Sequence, residues 1–237
     1  MKPIVVDSLR KSFGKKVALR NVSFEVDRSE IFGLIGPNGA GKTTTLRILA
    51  TILSPDGGDA WIMGHSVRDE ADEVRRNMTY LPEDAGVYRH ITGYEFLKIM
   101  ADVYGKGTEH VERGAKISGL GSALKNAMGS YSKGMKRRIL LASVLMVEPK
   151  VVILDEPTSG LDVLHAVHVR NAIKDYVKGN GASAIISSHN MLEVEYLCDR
   201  VAFINNGEII AEGRPRELKE ECGCSNLEEV FANLIRR

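Results

Sequence analysis

Residues 31–43 of the chain read IFGLIGPNGAGKT, an apolar run followed by a glycine-rich loop that ends in lysine and threonine. The loop matches the pattern G-x-x-x-x-G-K-[ST], in which glycines let the backbone turn tightly and point its N–H groups at phosphate oxygens. The apolar run predicts a buried strand, and the residue spacing after the loop predicts a helix whose positive N-terminal end faces the same phosphates. We therefore predict that residues 36–43 bind a nucleotide.

Two side chains at the end of the loop add the remaining chemistry. Lys42 supplies a positive charge for the β- and γ-phosphates, and the Thr43 hydroxyl is a ligand for Mg²⁺. A nucleoside triphosphate and Mg²⁺ are therefore the expected ligands. The residues predicted to bind the nucleotide here are Gly36, Pro37, Asn38, Gly39, Ala40, Gly41, Lys42, Thr43 and Thr44.

The composition indicates one large domain without a strong overall charge. The 237 residues are 43% hydrophobic, and 32 basic residues against 31 acidic ones give a formal net charge of +1. No global field favours nucleic acid, so we expect no nucleic-acid partner. The longest apolar or small run, residues 139–147, is well short of the ~20 residues that cross a bilayer, so the chain is expected not to span a membrane.

The order of the predicted elements indicates an α/β fold. Residues 4–7 and 21–26 predict an antiparallel opening, and strands then alternate with helices as in a parallel sheet. The predicted helices include one over about residues 42–52 and a charged one near 68–76, and Asn205-Asn206-Gly207 predicts a hairpin. We predict a P-loop NTPase core with a mostly parallel sheet, an N-terminal antiparallel β-subdomain and an inserted α-helical subdomain. In this division of a single domain, residues 1–91 and 125–213 form the core, 92–124 the helical insertion and 214–237 a helical tail.

Two carboxylates follow the apolar residues 151–154. Asp155 and Glu156 would lie at the carboxyl end of a buried strand, where ligands of open α/β sheets collect. Since Mg²⁺ is commonly held by only one or two protein groups, Asp155 with Thr43 suffices as a metal site. Glu156 can then orient and deprotonate an attacking water. The alternative, a capping or surface pair, is disfavoured by the strand and the phosphate loop.

Three further segments complete a family pattern: SKGMK at 132–136, EPTSGLD at 156–162 and SSH at 187–189. With these segments the chain resembles the nucleotide-binding subunit of an ATP-binding cassette (ABC) transporter, in motif order and approximate spacing, over nearly its whole length. The resemblance implies that the nucleotide is ATP and that the chain hydrolyses it.

The resemblance also implies roles for single residues. Glu156 would be the catalytic base, and His189 the switch histidine that contacts the γ-phosphate and the attacking water. Asp162 belongs to the loop that communicates across a dimer. Phe13 falls where an aromatic ring stacks on adenine, the alternative being a core residue at a strand end.

Two segments depart from the usual family pattern. The signature Leu-Ser-Gly-Gly-Gln is replaced by YSKGM at 131–135, which is similar to the form in ABC-2 type exporters. Ser132 and Gly134 are kept, and their hydroxyl and close backbone approach suit the γ-phosphate of ATP on a second subunit. Glu83 stands where most members have glutamine. Because glutamate can bind Mg²⁺ or water, Glu83 joins Thr43 and Asp155 as a candidate metal ligand.

Several other features predict no function. His165 and His168 are expected to be exposed helix residues, and the basic cluster Lys136-Arg137-Arg138 a solvated face. Three cysteines are an odd count, which favours a reducing cytosol, and Cys222-Gly223-Cys224 is expected to be an inert turn rather than a metal or redox site.

The resemblance implies an ATPase subunit that pairs with a second nucleotide-binding subunit, with a homodimer favoured, and drives export through a separate integral membrane permease. Such a chain would be cytoplasmic, peripheral on the cytoplasmic face of the cell membrane. Two alternatives stay open. One is a soluble ATPase of the same class in translation, repair or cluster assembly, and the other is a non-hydrolysing or kinase-like phosphate-loop protein.

Overall fold

The computed structural model describes residues 1–236, and the elements below lie within them. The strands are β1 (Ile4–Phe13), β2 (Lys16–Val26), β3 (Ile31–Ile35), β4 (Gly57–Ile62), β5 (His65–Ser66), β6 (Met78–Leu81), β7 (Val151–Asp155), β8 (Ser183–Ser188), β9 (Arg200–Asn205) and β10 (Glu208–Gly213). The helices are α1 (Lys42–Leu49), α2 (Ala71–Asn77), α3 (Gly93–Val103), α4 (Thr108–Ser118), α5 (Lys133–Leu145), α6 (Val163–Asn180), α7 (Met191–Leu197), α8 (Pro215–Cys222) and α9 (Leu227–Arg236).

These strands form one sheet in the order β5-β4-β1-β2-β10-β9-β3-β8-β7-β6. The five strands from β9 to β6 are parallel to one another, whereas β10 pairs antiparallel with β9, and β1 pairs antiparallel with both β2 and β4. A parallel contact between β10 and β2 joins the two parts. The predicted fold class, a parallel core with an antiparallel N-terminal part, is confirmed.

The sheet is covered on both faces, because successive side chains of its buried strands enter different apolar clusters. In β3, Ile31 and Ile35 pack with the cluster of α3 to α6, while Phe32 and Leu34 pack with the cluster of α1 and the antiparallel strands. All five residues of β3 are buried. Coverage of both faces is typical of parallel sheets and explains the unbroken apolar run in the sequence.

The helices of residues 92–124 pack on α5 and share the cluster that contains one face of the sheet. Thr92 begins α3 with a capping box: its side chain accepts from the Glu95 amide, and the Glu95 carboxylate accepts from the Thr92 amide. Phe96 and Leu97 of α3 belong to the same apolar cluster as Leu141 of α5 and Leu154 of β7. The insertion is therefore anchored to the core through α5, and the boundaries at 92 and 124 stay a prediction.

Local backbone geometry explains which predicted boundaries hold. The turn between β9 and β10 has positive φ at Asn206 and Gly207, as the predicted hairpin requires. The helix after the loop was predicted to reach residue 52, but it ends at Leu49 because Thr51 adopts a φ of 58°. The charged helix predicted from residue 68 begins at Ala71.

The C-terminal turn corrects one cysteine prediction. Cys222 and Cys224 form a disulfide rather than an unbonded turn. Gly223 has a φ of 66°, which turns the chain sharply enough to bring the two side chains together. Cys198 is buried and free.

As for membrane crossing, no helix among residues 1–236 combines the length and the apolar character that a bilayer span needs.

Candidate ATP-binding and hydrolysis site

A pocket of about 210 Å³ lies at the carboxyl end of the parallel strands, beside the antiparallel ones. It brings together residues that lie far apart in the sequence. They are Phe13, Lys16, Ala18, Pro37, Asn38, Gly39, Gly41, Lys42, Thr43, Thr44, Glu83 and Glu156. The predicted loop residues other than Gly36 and Ala40, the predicted base and the candidate metal ligand Glu83 thus face one cavity.

The phosphate loop lies so close to neighbouring strands that two positions have no room for a side chain. A Cβ on Gly36 would lie 2.1 Å from the carbonyl oxygen of Ile204. A Cβ on Gly41 would lie 2.9 Å from the carbonyl oxygen of Ala18, and Gly41 also has a φ of 114°. Gly39 has a positive φ but no atom within 4 Å of such a Cβ. The loop therefore needs glycine for close packing at two positions and for backbone conformation at a third.

Lys42 is held inside the loop. Its side chain is buried, and its Nζ donates to the carbonyl oxygens of Gly36 at 2.7 Å and Pro37 at 3.3 Å. The same Nζ lies 3.7 Å from Oε1 of Glu156. Oxygens of the γ- and β-phosphates can replace these carbonyl partners of the ammonium group.

Asp155 is surrounded by hydroxyl groups at the end of β7. Oδ1 accepts from Thr43 at 3.2 Å and from Ser187 at 2.5 Å, and Oδ2 accepts from Tyr80 at 3.4 Å. Burial, followed by the charge of Asp155, raises the pKa of Tyr80 to about 12. The phenol is therefore a neutral donor to the carboxylate at physiological pH.

These oxygens suit Mg²⁺ better than a transition metal. No group of three or more His, Cys, Asp or Glu side chains that could hold a metal occurs in residues 1–236. Mg²⁺ does not need such a cage, since it keeps several waters and is usually bound through one or two carboxylates and the phosphates of its substrate. The Thr43 hydroxyl and the Asp155 carboxylate, in contact beside the loop, are such a donor set. Glu83 lines the same cavity.

Glu156 lies between Lys42 and His189. Its Oε2 is 2.9 Å from Nδ1 of His189, and its backbone amide donates to the Ser187 hydroxyl at 3.0 Å. The residue is buried, and its φ of 48° is a left-handed conformation that costs a non-glycine residue on the order of 1–3 kcal/mol. Surrounding contacts therefore hold the carboxylate at one place beside the loop.

The remaining predicted residues lie at the edge of the pocket or outside it. Phe13 lines the pocket and is 48% exposed, and Lys11 Nζ lies 5.7 Å from its ring centroid. The side chain of His189 is 54% exposed. Ser132 is exposed and caps α5 by accepting from the Met135 amide, and Gly134 packs beneath the His165 ring. Neither Ser132 nor Gly134 lines the pocket with the phosphate loop.

Two groups of residues that were predicted to be exposed are partly or fully buried. His165 and His168 are half-buried rather than exposed, and Nε2 of His168 lies 2.9 Å from the Ile117 carbonyl oxygen. In the basic cluster, Arg138 is half-buried and Arg137 is only 7% exposed, so the prediction of a solvated face was wrong. The Arg137 guanidinium donates only to backbone carbonyls in the loops after β6 and β7. The sequence does indicate the burial of Arg137, because it lies four residues before the apolar Leu141 and therefore on the same, buried face of α5.

Comparisons with known proteins identify relatives in sequence and in fold. The family model described as ABC transporter matches residues 19–159. The linearmycin resistance ATP-binding protein LnrL of Bacillus subtilis is 33% identical over 97% of this chain and 78% of its own length. The doxorubicin resistance ATP-binding protein DrrA of Mycobacterium tuberculosis is 40% identical over 99% of this chain and 71% of its own length.

The fold has solved counterparts of nearly equal length. A structure described as the ATP binding subunit of an ABC transporter superposes with a TM-score of 0.88 at 29% identity, covering 98% of this chain and 99% of that one. A nucleotide-free ATP-binding cassette from an ABC transporter gives a TM-score of 0.84 at 23% identity, covering 98% and 99%. The second likeness supports the fold alone.

Proposed function

Because this chain belongs to the ABC transporter family, as an ATP-hydrolysing subunit of its exporter branch, we propose that it acts as one half of a pair of such subunits, driving a separate membrane permease. The observation that carries the proposal is the position of Glu156, which lies beside the phosphate loop and within reach of both Lys42 and His189. A buried carboxylate with these two partners is suited to act as a general base next to a γ-phosphate.

The residues of this chain have separate tasks in the proposed reaction. The loop amides and the N-terminus of α1 bind the phosphates, and Lys42 leaves its carbonyl partners for the γ-phosphate. Once Lys42 has moved, Glu156 loses a competing cation and accepts a proton from the attacking water. His189 holds the carboxylate and contacts the γ-phosphate. Thr43 and Asp155, with Glu83 nearby, would hold Mg²⁺, which neutralises phosphate charge when bound.

The second half of the site is supplied by another subunit in this proposal. Two observations support it. The pocket of about 210 Å³ is smaller than the ~300–1,000 Å³ of a typical ligand site, which fits a site that a second subunit completes. Ser132 and Gly134 lie outside the pocket at the start of α5, where the Ser132 hydroxyl and the helix N-terminus can receive the γ-phosphate of a partner's ATP. Asp162, which caps α6, would lie at the same dimer interface.

The permease is proposed to receive the motion at the surface that follows Glu83. In the segment that follows Glu83, Tyr88 on the loop after β6 and Ile99 and Val103 on α3 are exposed apolar side chains, with Val103 72% accessible. An apolar surface of this kind suits a membrane subunit, and the chain would then be peripheral on the cytoplasmic face of the cell membrane. The soluble alternative lacks such support, because the relatives are named as transport or resistance ATP-binding proteins.

The substitution Glu156→Gln tests the proposal, because it removes the base while keeping the size of the side chain. We expect ATP hydrolysis to fall by a factor of about 10²–10⁴ and an ATP-dependent dimer to accumulate, seen by size-exclusion chromatography with light scattering. Lys42→Ala in the same background is the control, and it should abolish the dimer. Full ATPase activity in the Glu156→Gln chain would contradict the assignment of the base. Co-purification of a membrane protein with the native chain tests the permease.

A further inference from the structure

Arg137 donates hydrogen bonds to five backbone carbonyls in two separate segments, one at the end of β7 and one in the loop after β6. Nε donates to Pro157 at 2.8 Å, and Nη2 to Asp155 at 2.8 Å and Glu156 at 3.1 Å, all of them at the end of β7. Nη1 donates to Pro82 at 2.7 Å and, at 3.4 Å, to Glu83 after β6. A guanidinium has five N–H donors, so this one group can serve both loops at once.

The contacts of Arg137 are with the backbone of these segments and not with their carboxylates. The acceptors are main-chain oxygens, while the Asp155 carboxylate is bonded to Thr43 and the Glu156 carboxylate to His189. Burial lowers the pKa of Arg137, whereas the charges of Asp155, Glu83 and Glu156 raise it. The arginine thus lies behind the reaction site and positions the backbone from which its carboxylates project.

The planar fork makes the positions of the two loops interdependent. A buried cation is costly unless its hydrogen bonds are satisfied, so moving one loop away from Arg137 leaves donors unpaired. Arg137 is also on α5, whose first residues follow the Ser132 cap. A displacement of the start of α5 is therefore transmitted to Pro82–Glu83 and to Asp155–Pro157 through a single side chain.

We propose that Arg137 is a positioning residue that sets the backbone of Glu156 and Glu83 relative to each other and couples both to the start of α5. The proposal rests on the proposed function, because it assigns a task to a residue behind that site. In this arrangement, binding of a partner's nucleotide at Ser132 and Gly134 shifts α5, and Arg137 carries the shift to the base and to the loop after β6.

Arg137→Met tests this role, because methionine fills apolar space but donates nothing. We expect kcat for MgATP hydrolysis by the full chain to fall on the order of 10²-fold, the loss that follows a displacement of about 1 Å at a reacting group. KM and the affinity for MgATP, measured by equilibrium binding, should change less than about threefold, because the phosphate loop does not contact Arg137.

Arg138→Met is the matched control. Arg138 is the next residue of α5, and its Nε donates to the Ser118 carbonyl oxygen of α4 at 2.8 Å, away from both loops. We expect kcat of Arg138→Met to stay within about threefold of the wild-type value, even where its melting temperature falls as much as that of Arg137→Met. Equal kcat values for the two variants would overturn the proposal, as would a KM increase that accounts for the loss in Arg137→Met.

Arg137→Lys keeps the test informative if the methionine variant does not fold. Lysine keeps the charge but cannot reach both loops with a planar fork, so kcat should still fall with KM unchanged. A lysine variant with wild-type kcat overturns the proposal. Failure of the proposed function is a separate result, since Glu156→Gln would then leave ATPase activity intact in a chain with native Arg137.

Discussion

The phosphate loop and the start of α5 are both parts of the proposed composite site, yet they are built in opposite ways. In the loop, most of residues 36–43 line a pocket, and the Lys42 ammonium group donates to carbonyl oxygens five and six residues earlier in the chain. At the start of α5, Ser132 is exposed, and the important cation, Arg137, finds its partners in loops up to 55 residues away. Chemistry that is local in sequence is visible as a motif, whereas chemistry that depends on distant partners is not.

The comparison also separates two kinds of rigidity. The loop is fixed by close packing, because Gly36 and Gly41 have no room for a Cβ. The segment behind α5 is fixed by hydrogen bonds from one guanidinium. Close packing holds the phosphate loop in one conformation, whereas segments that are joined by hydrogen bonds from one guanidinium can move together. The loop is thus suited to binding, and the link to transmitting a change.

The largest effect is expected from Gly36→Ala, which tests whether the loop is fixed by packing. The new methyl group would overlap the Ile204 carbonyl oxygen, so either the loop or β9 must shift. We expect ATP affinity, measured by calorimetry, to fall by more than about 100-fold, the cost of ~3 kcal/mol. Gly39→Ala is the control, since its methyl group meets nothing and only its φ of 81° is strained. Equal losses at both positions would show that packing is not the cause.

A smaller effect should come from Ser132→Ala, which tests whether the start of α5 acts on a partner's ATP. As a cap, Ser132 contributes about 1 kcal/mol of stability, so the variant should fold. In the composite site, however, its ATPase activity should fall with ATP binding retained. Mixing it with an inactive Lys42→Ala chain should restore part of the turnover, because each mixed dimer contains one intact site. If the mixture shows only the sum of the two separate activities, Ser132 and Lys42 serve the same site within one chain.

The smallest effect concerns Glu193, a buried carboxyl of α7 behind His189. Burial raises the pKa of Glu193, and the charge of Glu156 raises it further. The Thr158 hydrogen bond and the charges of Arg170 and His189 lower it. Among the described residues, Oε1 of Glu193 has no hydrogen-bond partner. A raised pKa in the folded state gives stability that is complete below the unfolded pKa and is lost as pH rises through the folded pKa. Glu193→Gln keeps a neutral side chain at every pH.

We therefore expect Glu193→Gln to melt at a higher temperature than the wild type at pH 8, and at nearly the same temperature at pH 4.5. Thermal unfolding followed by circular dichroism measures the difference. The control is Glu195→Gln, because Glu195 lies on the same helix as Glu193 but pairs with Lys219 of α8. A difference that grows toward low pH would reverse the assigned sign. The effect should not exceed a few degrees.

Much of the fold could be predicted because its signals are local. The apolar run of β3, the glycines of the loop, the carboxylates after β7 and the hairpin at Asn206-Gly207 each reflect the geometry of a few adjacent residues. The ends of α1 and α2 were less predictable, since a single left-handed residue such as Thr51 decides them. The pairing of Cys222 with Cys224 depends on one turn at Gly223, and spacing alone did not indicate it.

The prediction failed most at Arg137 for a physical reason. A basic residue between Lys136 and Arg138 is usually solvated, and the helical spacing from Arg137 to Leu141 indicates burial without indicating the carbonyl groups that surround it. Its acceptors come from residues 82–83 and 155–157, which approach α5 only after β6 and β7 have paired. Burial of an isolated charge is decided by tertiary structure, so the charge pattern of the sequence misleads at this position.

The main-chain nature of the Arg137 acceptors has an evolutionary consequence. Every residue type carries a carbonyl oxygen, so side chains at positions 82, 83 and 157 can be exchanged without removing an acceptor. The link therefore tolerates drift in the very residues that it connects. A glutamate at position 83, where the resemblance leads one to expect glutamine, can become established without the loop losing its tie to α5.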